Sequence, residues 1–388
     1  MSAEPKETSL SQDNSNLGLV MGGGGARAAY QVGFLQYLAE RFPTLNIPIV
    51  TGVSAGAINA VHLASHRGSF QQAVEELVSL WDNLTVEDVF RIDTRSLTWT
   101  GLKWAFQLLS GGVGGRTRVR GLVDTSPLRN YLSEALNSSN GKITGIQYNL
   151  DLGHLKAVAL STSSYTTGQS VTWVQGSDIQ NWNRPQRRSK KTVLNIDHLM
   201  ASAALPIFFP AVPINGEYFG DGGIRLVAPL SPAIHLGARK ILAISTRYNR
   251  SAIEANEPEV SGYPPPAQVM GVLLNSIFLD FFDQDALRLD RLNDLIDQVP
   301  PKGRGGLRPI SLMILRPSMD LGRLANDFEP QLPKTFRFLT RGWGTRQTNS
   351  PDLLSLVLFQ PDYVRRLICL GKTDAQARAD EIEKFIGE

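Results

Sequence analysis

Cysteine is nearly absent: Cys369 is the only one in 388 residues, which excludes an internal disulfide framework and any cysteine-built metal site, and permits a reducing compartment. A charge excess of either sign is missing too. Lys and Arg number 39 against 36 Asp and Glu, a formal net charge of +3, far from the basic footprint of a nucleic-acid-binding protein. Residues 1–16 carry Glu4, Lys6, Glu7 and Asp13 with no apolar stretch, so a disordered tail is expected there rather than a secretory signal peptide. No unbroken apolar run of bilayer length occurs either. The uncharged stretch 42–66 is interrupted by Pro43, Asn46, Pro48, Gly52, Gly56 and Asn59, and a transmembrane helix is not expected. A cytoplasmic or peripheral-membrane location is the resulting expectation.

What is present is enough apolar residue, 42% against 19% charged, to bury a large core. Leu17–Met21 is a short apolar run that ends in Gly22-Gly23-Gly24-Gly25, and the helical spacing of Tyr30, Gly33, Phe34, Tyr37 and Leu38 follows at once. A second strand-turn-helix unit runs through Ile47–Val50, the turn at Gly52–Gly56, and Ala57–Ser65. Two such units predict an α/β fold with a parallel sheet. Further strands are predicted at 156–160, 170–174, 218–220, 240–245 and 310–315, with a helix at 197–204. A Glu- and Pro-rich stretch from 249 to 267 reads as a linker or surface loop. After it the spacing turns helical over 269–295, 353–370 and 375–386.

The first glycine turn lies between a strand and a helix, where unobstructed backbone N–H groups stand at the positive end of a helix dipole. Such a turn binds anions, either a nucleotide phosphate or a transient oxyanion. Gly23-x-Gly25-x-x-Ala28 satisfies the dinucleotide fingerprint in its Ala-ended form, which keeps a dinucleotide-binding oxidoreductase in view. Against it, the next strand leads into Thr51-Gly52 rather than to the acidic residue that would hold a ribose.

Gly52-Val53-Ser54-Ala55-Gly56 has the form of a nucleophile elbow, in which small flanking residues let a strained turn present a serine hydroxyl. The alternative for Ser54 is a helix N-cap without chemistry. A base is then needed. There are five histidines: His62 and His66 lie on the helix after the elbow and point away from its start, and His154 precedes a strand. His198 opens a helix, and His235 falls well inside 231–237. Asp221 is the stronger candidate, because Tyr218-Phe219-Gly220-Asp221-Gly222-Gly223 puts a carboxylate at a strand end among glycines that permit close backbone approach. A carboxylate is a weak base at neutral pH, so the site would have to desolvate it. Taken alone, a turn aspartate accepting from its own backbone explains the residue equally well.

Together the three motifs resemble the patatin-like phospholipase family, whose pattern is a glycine-rich oxyanion turn, then Gly-x-Ser-x-Gly, then Asp-Gly-Gly or Asp-Gly-Ala. The resemblance runs over about 17–245 and includes the surroundings Ala201-Ser-Ala-Ala-Leu-Pro206 and Pro229-Leu-Ser-Pro232. It implies a three-layer α/β/α fold with a mostly parallel sheet at 17–247, a candidate cap over about 85–130, and a largely helical C-terminal region at 248–388. It further implies Ser54 as nucleophile, Asp221 as base, and N–H groups of Gly23, Gly24 and Gly25 as the oxyanion hole, with Arg27 supporting the turn and Ala55 as a further donor. Gly52, Gly56, Gly222 and Gly223 complete the motifs. Ala28 departs from the bacterial pattern, which has Gly after the Arg; the animal cytosolic phospholipases A2 are similar to this chain there. The implied activity is hydrolysis of phospholipid or lysophospholipid esters without a cofactor or metal, and no Cys/His cluster or calcium-loop spacing suggests one. A protein that keeps the fold and binds lipid without turnover is the other expectation.

Residues 97–109 concentrate Trp99 and Trp104 beside Arg116, Arg118 and Arg120, a composition suited to a lipid surface. Arg184–Lys191 reads as a solvated hairpin or a contact for anionic headgroups.

Overall fold

The computed structural model describes residues 16–91, 121–260, 262–278, 280–332, 337 and 352–387. Trp99, Trp104, Arg116, Arg118 and Arg120, and with them most of the expected cap, lie outside the described residues.

Ten strands of the described residues form one sheet: β1 (Leu17–Met21), β2 (Ile49–Val53), β3 (Ala157–Ser164), β4 (Ser170–Gly176), β5 (Asn183–Arg184), β6 (Arg187–Lys191), β7 (Val212–Ile214), β8 (Glu217–Asp221), β9 (Lys240–Ile244) and β10 (Ser311–Leu315). The order is β10-β9-β1-β2-β3-β4-β6-β5, and β8 pairs with both β3 and β7. From β10 to β3 every pairing is parallel; β3–β4, β3–β8, β7–β8 and β5–β6 are antiparallel.

Alternation along the strands divides two cores. Leu17, Leu19 and Met21 of β1 and Leu242 and Ile244 of β9 face one apolar cluster, whereas Val20, Ile241 and Ala243 face the other. Side chains on a strand point to opposite faces, so a parallel sheet with both faces apolar must be covered twice, and the result is the expected α/β/α sandwich.

The larger core is covered by α1 (Ala29–Arg41), α2 (Ala55–Ser65) and α3 (Phe70–Asp82), and the described chain continues through α4 (Ile196–Ser202), α5 (Pro266–Phe278), α6 (Asp280–Asp297), α7 (Asp352–Val357), α8 (Pro361–Ala377) and α9 (Ala379–Gly387). Tyr30, Phe34 and Leu35 of α1 are fully buried, each contributing about 1.5–3 kcal/mol of apolar burial. Residues beyond 247 share these cores: β10 extends the sheet beside β9, and α8 packs on α1. At that crossing a Cβ on Gly33 would overlap the Ile368 carbonyl, and one on Gly371 would overlap the Tyr30 carbonyl. The two helices therefore touch through their backbones.

The expected helix at 269–295 is two helices, α5 and α6, and that at 353–370 is α7 and α8, parted at Pro361. Gln360, before the proline, is extended (φ −120°, ψ 134°), as the proline ring demands of its predecessor. No described helix is long and apolar enough to cross a membrane.

Candidate active site

The pairing of β3 brings the two distant motifs together. Val53, the last residue of β2, is opposite Ser161 of β3, and Asp221, the last of β8, is opposite Thr162. Thr162 and Ser163 are already paired with β4 on their other side. Thus β8 must enter on the β2 side of β3, just beyond the point where β2 stops. Ser54 and Asp221 are delivered to the same end of the sheet on adjacent tracks.

Ser54 has φ 56° and ψ −133°, a conformation that costs a non-glycine residue about 1–3 kcal/mol and persists only where its surroundings enforce it. The enforcement is visible. A Cβ on Gly56 would overlap the Gly22 carbonyl, and one on Gly52 the Gly56 carbonyl, so the elbow is packed backbone to backbone against the first glycine turn. The Ser54 N–H donates to Ser202 Oγ of α4 at 3.1 Å, and that hydroxyl donates to the Ser161 carbonyl at 2.8 Å.

Asp221 is fully buried. Its Oδ1 accepts from the Gly223 N–H at 2.9 Å, which is the turn-aspartate bond that the sequence left as an alternative. Its Oδ2 is buried without a hydrogen-bond partner among the described residues. Burial pushes the carboxyl up to about 7, against smaller opposing influences of the Ser54 hydroxyl and the Gly223 N–H. The hydroxyl is thus close enough to act on the carboxylate's proton affinity, short of a well-formed hydrogen bond. Gly222 is required by approach: a Cβ there would overlap the Ser161 carbonyl, and one on Gly223 would strike Phe278.

The first glycine turn borders the serine, since a Cβ on Gly23 would stand 3.1 Å from Ser54 Cβ. Gly24 and Gly25 have φ of 147° and 55°, in the region where side chains are disfavoured. Among the described residues the Gly23 and Gly24 N–H groups donate to no protein acceptor. Arg27 is buried behind the turn, with Nε donating to Ser355 Oγ at 2.7 Å and a terminal nitrogen to Asp352 Oδ1 at 2.5 Å. Asn275 donates to the other Asp352 oxygen at 2.5 Å. Asp352 and Ser355 were not foreseen from the sequence, because nothing local marks them.

An apolar cavity is lined by Gly24, Gly25, Ser54 and Ala55 and by Leu77, Trp81, Leu132 and Phe209 among others. The α3 stripe of Ala73, Val74, Leu77 and Trp81 has helical spacing, and this puts Leu77 and Trp81 on the cavity wall.

Four of the five histidines are otherwise engaged. His62 lines the cavity, but its Nε2 is 2.9 Å from the Ala73 carbonyl oxygen and burial lowers its pKa. His198 accepts the Asn195 N–H at Nδ1, 3.2 Å away, in a capping box, its ring stands edge-on to Trp173, and burial lowers its pKa to about 4. His66 pairs with Glu76 at 3.0 Å, and His235 stacks on Trp182. No histidine hydrogen bonds to Ser54 among the described residues. Arg184–Lys191 forms the β5–β6 hairpin, in which Arg188 and Lys190 both pair with Glu217.

The chain resembles VipD from Legionella pneumophila in structure, at 13% identity and TM-score 0.40, over 95% of this chain and 67% of that one. It also resembles human GIVD cytosolic phospholipase A2, at 12% identity and TM-score 0.46, over 96% of this chain and 60% of the human protein. This chain therefore spans less than two thirds of the human enzyme's length. No curated protein matches in sequence. The family model described as Patatin-like phospholipase matches residues 19–234, more than half of the chain, and covers the glycine turn, the elbow and Asp221 alike. The chain belongs to the patatin-like phospholipase family.

Proposed function

We propose that the chain is a serine acyl hydrolase that cleaves fatty acyl esters of phospholipids or lysophospholipids, with Ser54 as nucleophile and Asp221 as general base. The observation that carries this is the delivery of Ser54 and a desolvated Asp221 to one end of β3 beside an apolar cavity. An acyl chain is the ligand such a wall suits, because it exchanges water for apolar contact along its whole length.

Asp221 takes the Ser54 proton as Oγ bonds to the ester carbonyl carbon. The carbonyl oxygen becomes an oxyanion, held by N–H groups of Gly23, Gly24, Gly25 and Ala55. When the C–O bond to the alcohol breaks, Asp221 returns the proton to the leaving oxygen. Water then attacks the acyl-Ser54 ester with Asp221 again as base, and the fatty acid departs. A carboxyl near pH 7 is matched to both directions of this transfer. The dinucleotide reading of Gly23–Ala28 has no such support: β2 runs directly into the elbow, with no acidic residue at its end to hold a ribose.

A fluorophosphonate probe should label the native chain and not Ser54→Ala, and fatty acid release from phosphatidylcholine vesicles should vanish in step. Labelling that survives in Ser54→Ala would move the nucleophile elsewhere; labelling without release would favour the lipid-binding alternative. Docking through Trp99 and Trp104 beside Arg116, Arg118 and Arg120 belongs to the same reading. Trp99→Ala/Trp104→Ala should co-sediment less with anionic vesicles, and unchanged binding would remove that role.

A further inference from the structure

We propose that Gln31 and Thr246, neither of them in the three motifs, are positioning residues that aim the Gly23 and Gly24 N–H groups at the oxyanion. The inference rests on the reading of Ser54 as nucleophile and deepens it.

The peptide unit sets the geometry. It is planar and trans, so its C=O and N–H point in opposite directions. Fixing the carbonyl of one residue fixes the direction of the next residue's N–H. The Gly22 carbonyl accepts from Gln31 Nε2 at 2.8 Å, and the Gly23 carbonyl accepts from Thr246 Oγ1 at 2.7 Å. Each bond turns one peptide plane, so that the Gly23 and Gly24 N–H groups face away from Gln31 and Thr246. Ser54 itself abuts Gly23. Glycine gives both planes more rotational freedom than another residue would, and the two bonds select one direction for each.

The orientation of Gln31 is itself determined. The Trp81 indole can only donate, and its Nε1 donates to Asn59 Oδ1 at 2.8 Å. The Asn59 amide nitrogen must then face the other way, where it donates to the Ala28 carbonyl at 3.2 Å and to Gln31 Oε1 at 3.0 Å. With its oxygen so committed, Gln31 has only its nitrogen to present to the Gly22 carbonyl. Gln31 and Asn59 are fully buried and Thr246 is 1% exposed, so water does not compete for these bonds. Trp81 lines the cavity with its ring and starts this relay with its N–H.

The test compares Thr246→Val, Gln31→Met and the control Thr246→Ser with the native chain, using a soluble p-nitrophenyl ester. A trifluoromethyl ketone, whose hemiketal oxygen occupies the oxyanion position, serves as a second probe. Removing a direct oxyanion donor costs about 10²–10³ in kcat. A misaimed donor should cost about 10- to 100-fold in kcat with KM held within about twofold, since the interaction exists only in the transition state. The trifluoromethyl ketone inhibition constant should rise by a similar factor, and Thr246→Ser should recover the native rate. A merely structural contact would lower Tm without moving kcat and ketone affinity together. Full kcat in either folded variant overturns the proposal, as does a kcat loss without a matching loss of ketone affinity. Failure of both variants to fold would overturn it too, by making the bonds a requirement of folding rather than of aim. Ser54→Ala run alongside separates the two layers. Turnover surviving there removes the nucleophile itself, whereas a dead Ser54→Ala beside fully active Thr246→Val and Gln31→Met removes only the aiming.

Discussion

On the two sides of the glycine turn lie two buried carboxylates with opposite treatment. In front, Asp221 has no cation, one backbone donor, and an oxygen with no hydrogen-bond partner among the described residues. Behind, Asp352 is bound by Arg27 and Asn275. Burial raises the pKa of both, and Arg27 works against that rise only at Asp352. Under the proposed mechanism, this difference separates a reactive group from a structural one. An unpaired buried carboxylate keeps its appetite for a proton, whereas a paired one spends its charge on holding another residue in place.

The comparison is tested most strongly in front. Asp221→Asn should lower turnover about 10⁴-fold, the scale of losing a member of a catalytic unit, and a loss under tenfold would make Asp221 a turn residue only. The same substitution should raise stability above neutral pH. The folded carboxyl holds its proton up to about 7 and the unfolded one releases it near 3.8. Between those values the folded state binds more protons, so the native chain loses stability as pH rises through that window. Asn carries no such penalty. Its advantage, on the order of a few kcal/mol, should be present at pH 8 and absent at pH 4 in urea denaturation. In the native chain kcat/KM should climb with pH and level off above about 7; an inflection near 4 would contradict the raised carboxyl.

Behind the turn the expected effect is smaller and concerns folding. Asp352→Ala leaves Arg27 charged and buried without its partner, and should cost about 3–5 kcal/mol. Arg27→Met/Asp352→Leu, which removes both charges, should recover most of that. If the double substitution is as damaging as the single one, the pair contributes more than mutual neutralisation.

How much of this was legible follows from the same contrast. The front was legible because close backbone approach requires glycine: Gly56 against the Gly22 carbonyl and Gly222 against the Ser161 carbonyl leave a trace in the sequence. The back left none. Asp352 is 325 residues from Arg27, and Gln31 and Thr246 are ordinary residues whose role arises only from what they face. The strand expected to stop at Leu160 runs on to Ser164, since Ser161–Ser164 is polar yet buried, with Thr162 and Ser163 held between β4 and β8, a partnership that no local pattern announces. The strand at 311–315 was legible by its apolar run, but its place beside β9 was not.

The glycine crossing of α1 and α8 has a consequence in time. The helix that follows the first glycine turn is synthesised long before the surface that completes it. Until α8 has emerged, α1 has no partner for Gly33, and α7 has not reached Arg27. A nascent chain halted before residue 352 should therefore resist fluorophosphonate labelling despite carrying every motif residue, so that the proposed activity waits on α7 and α8.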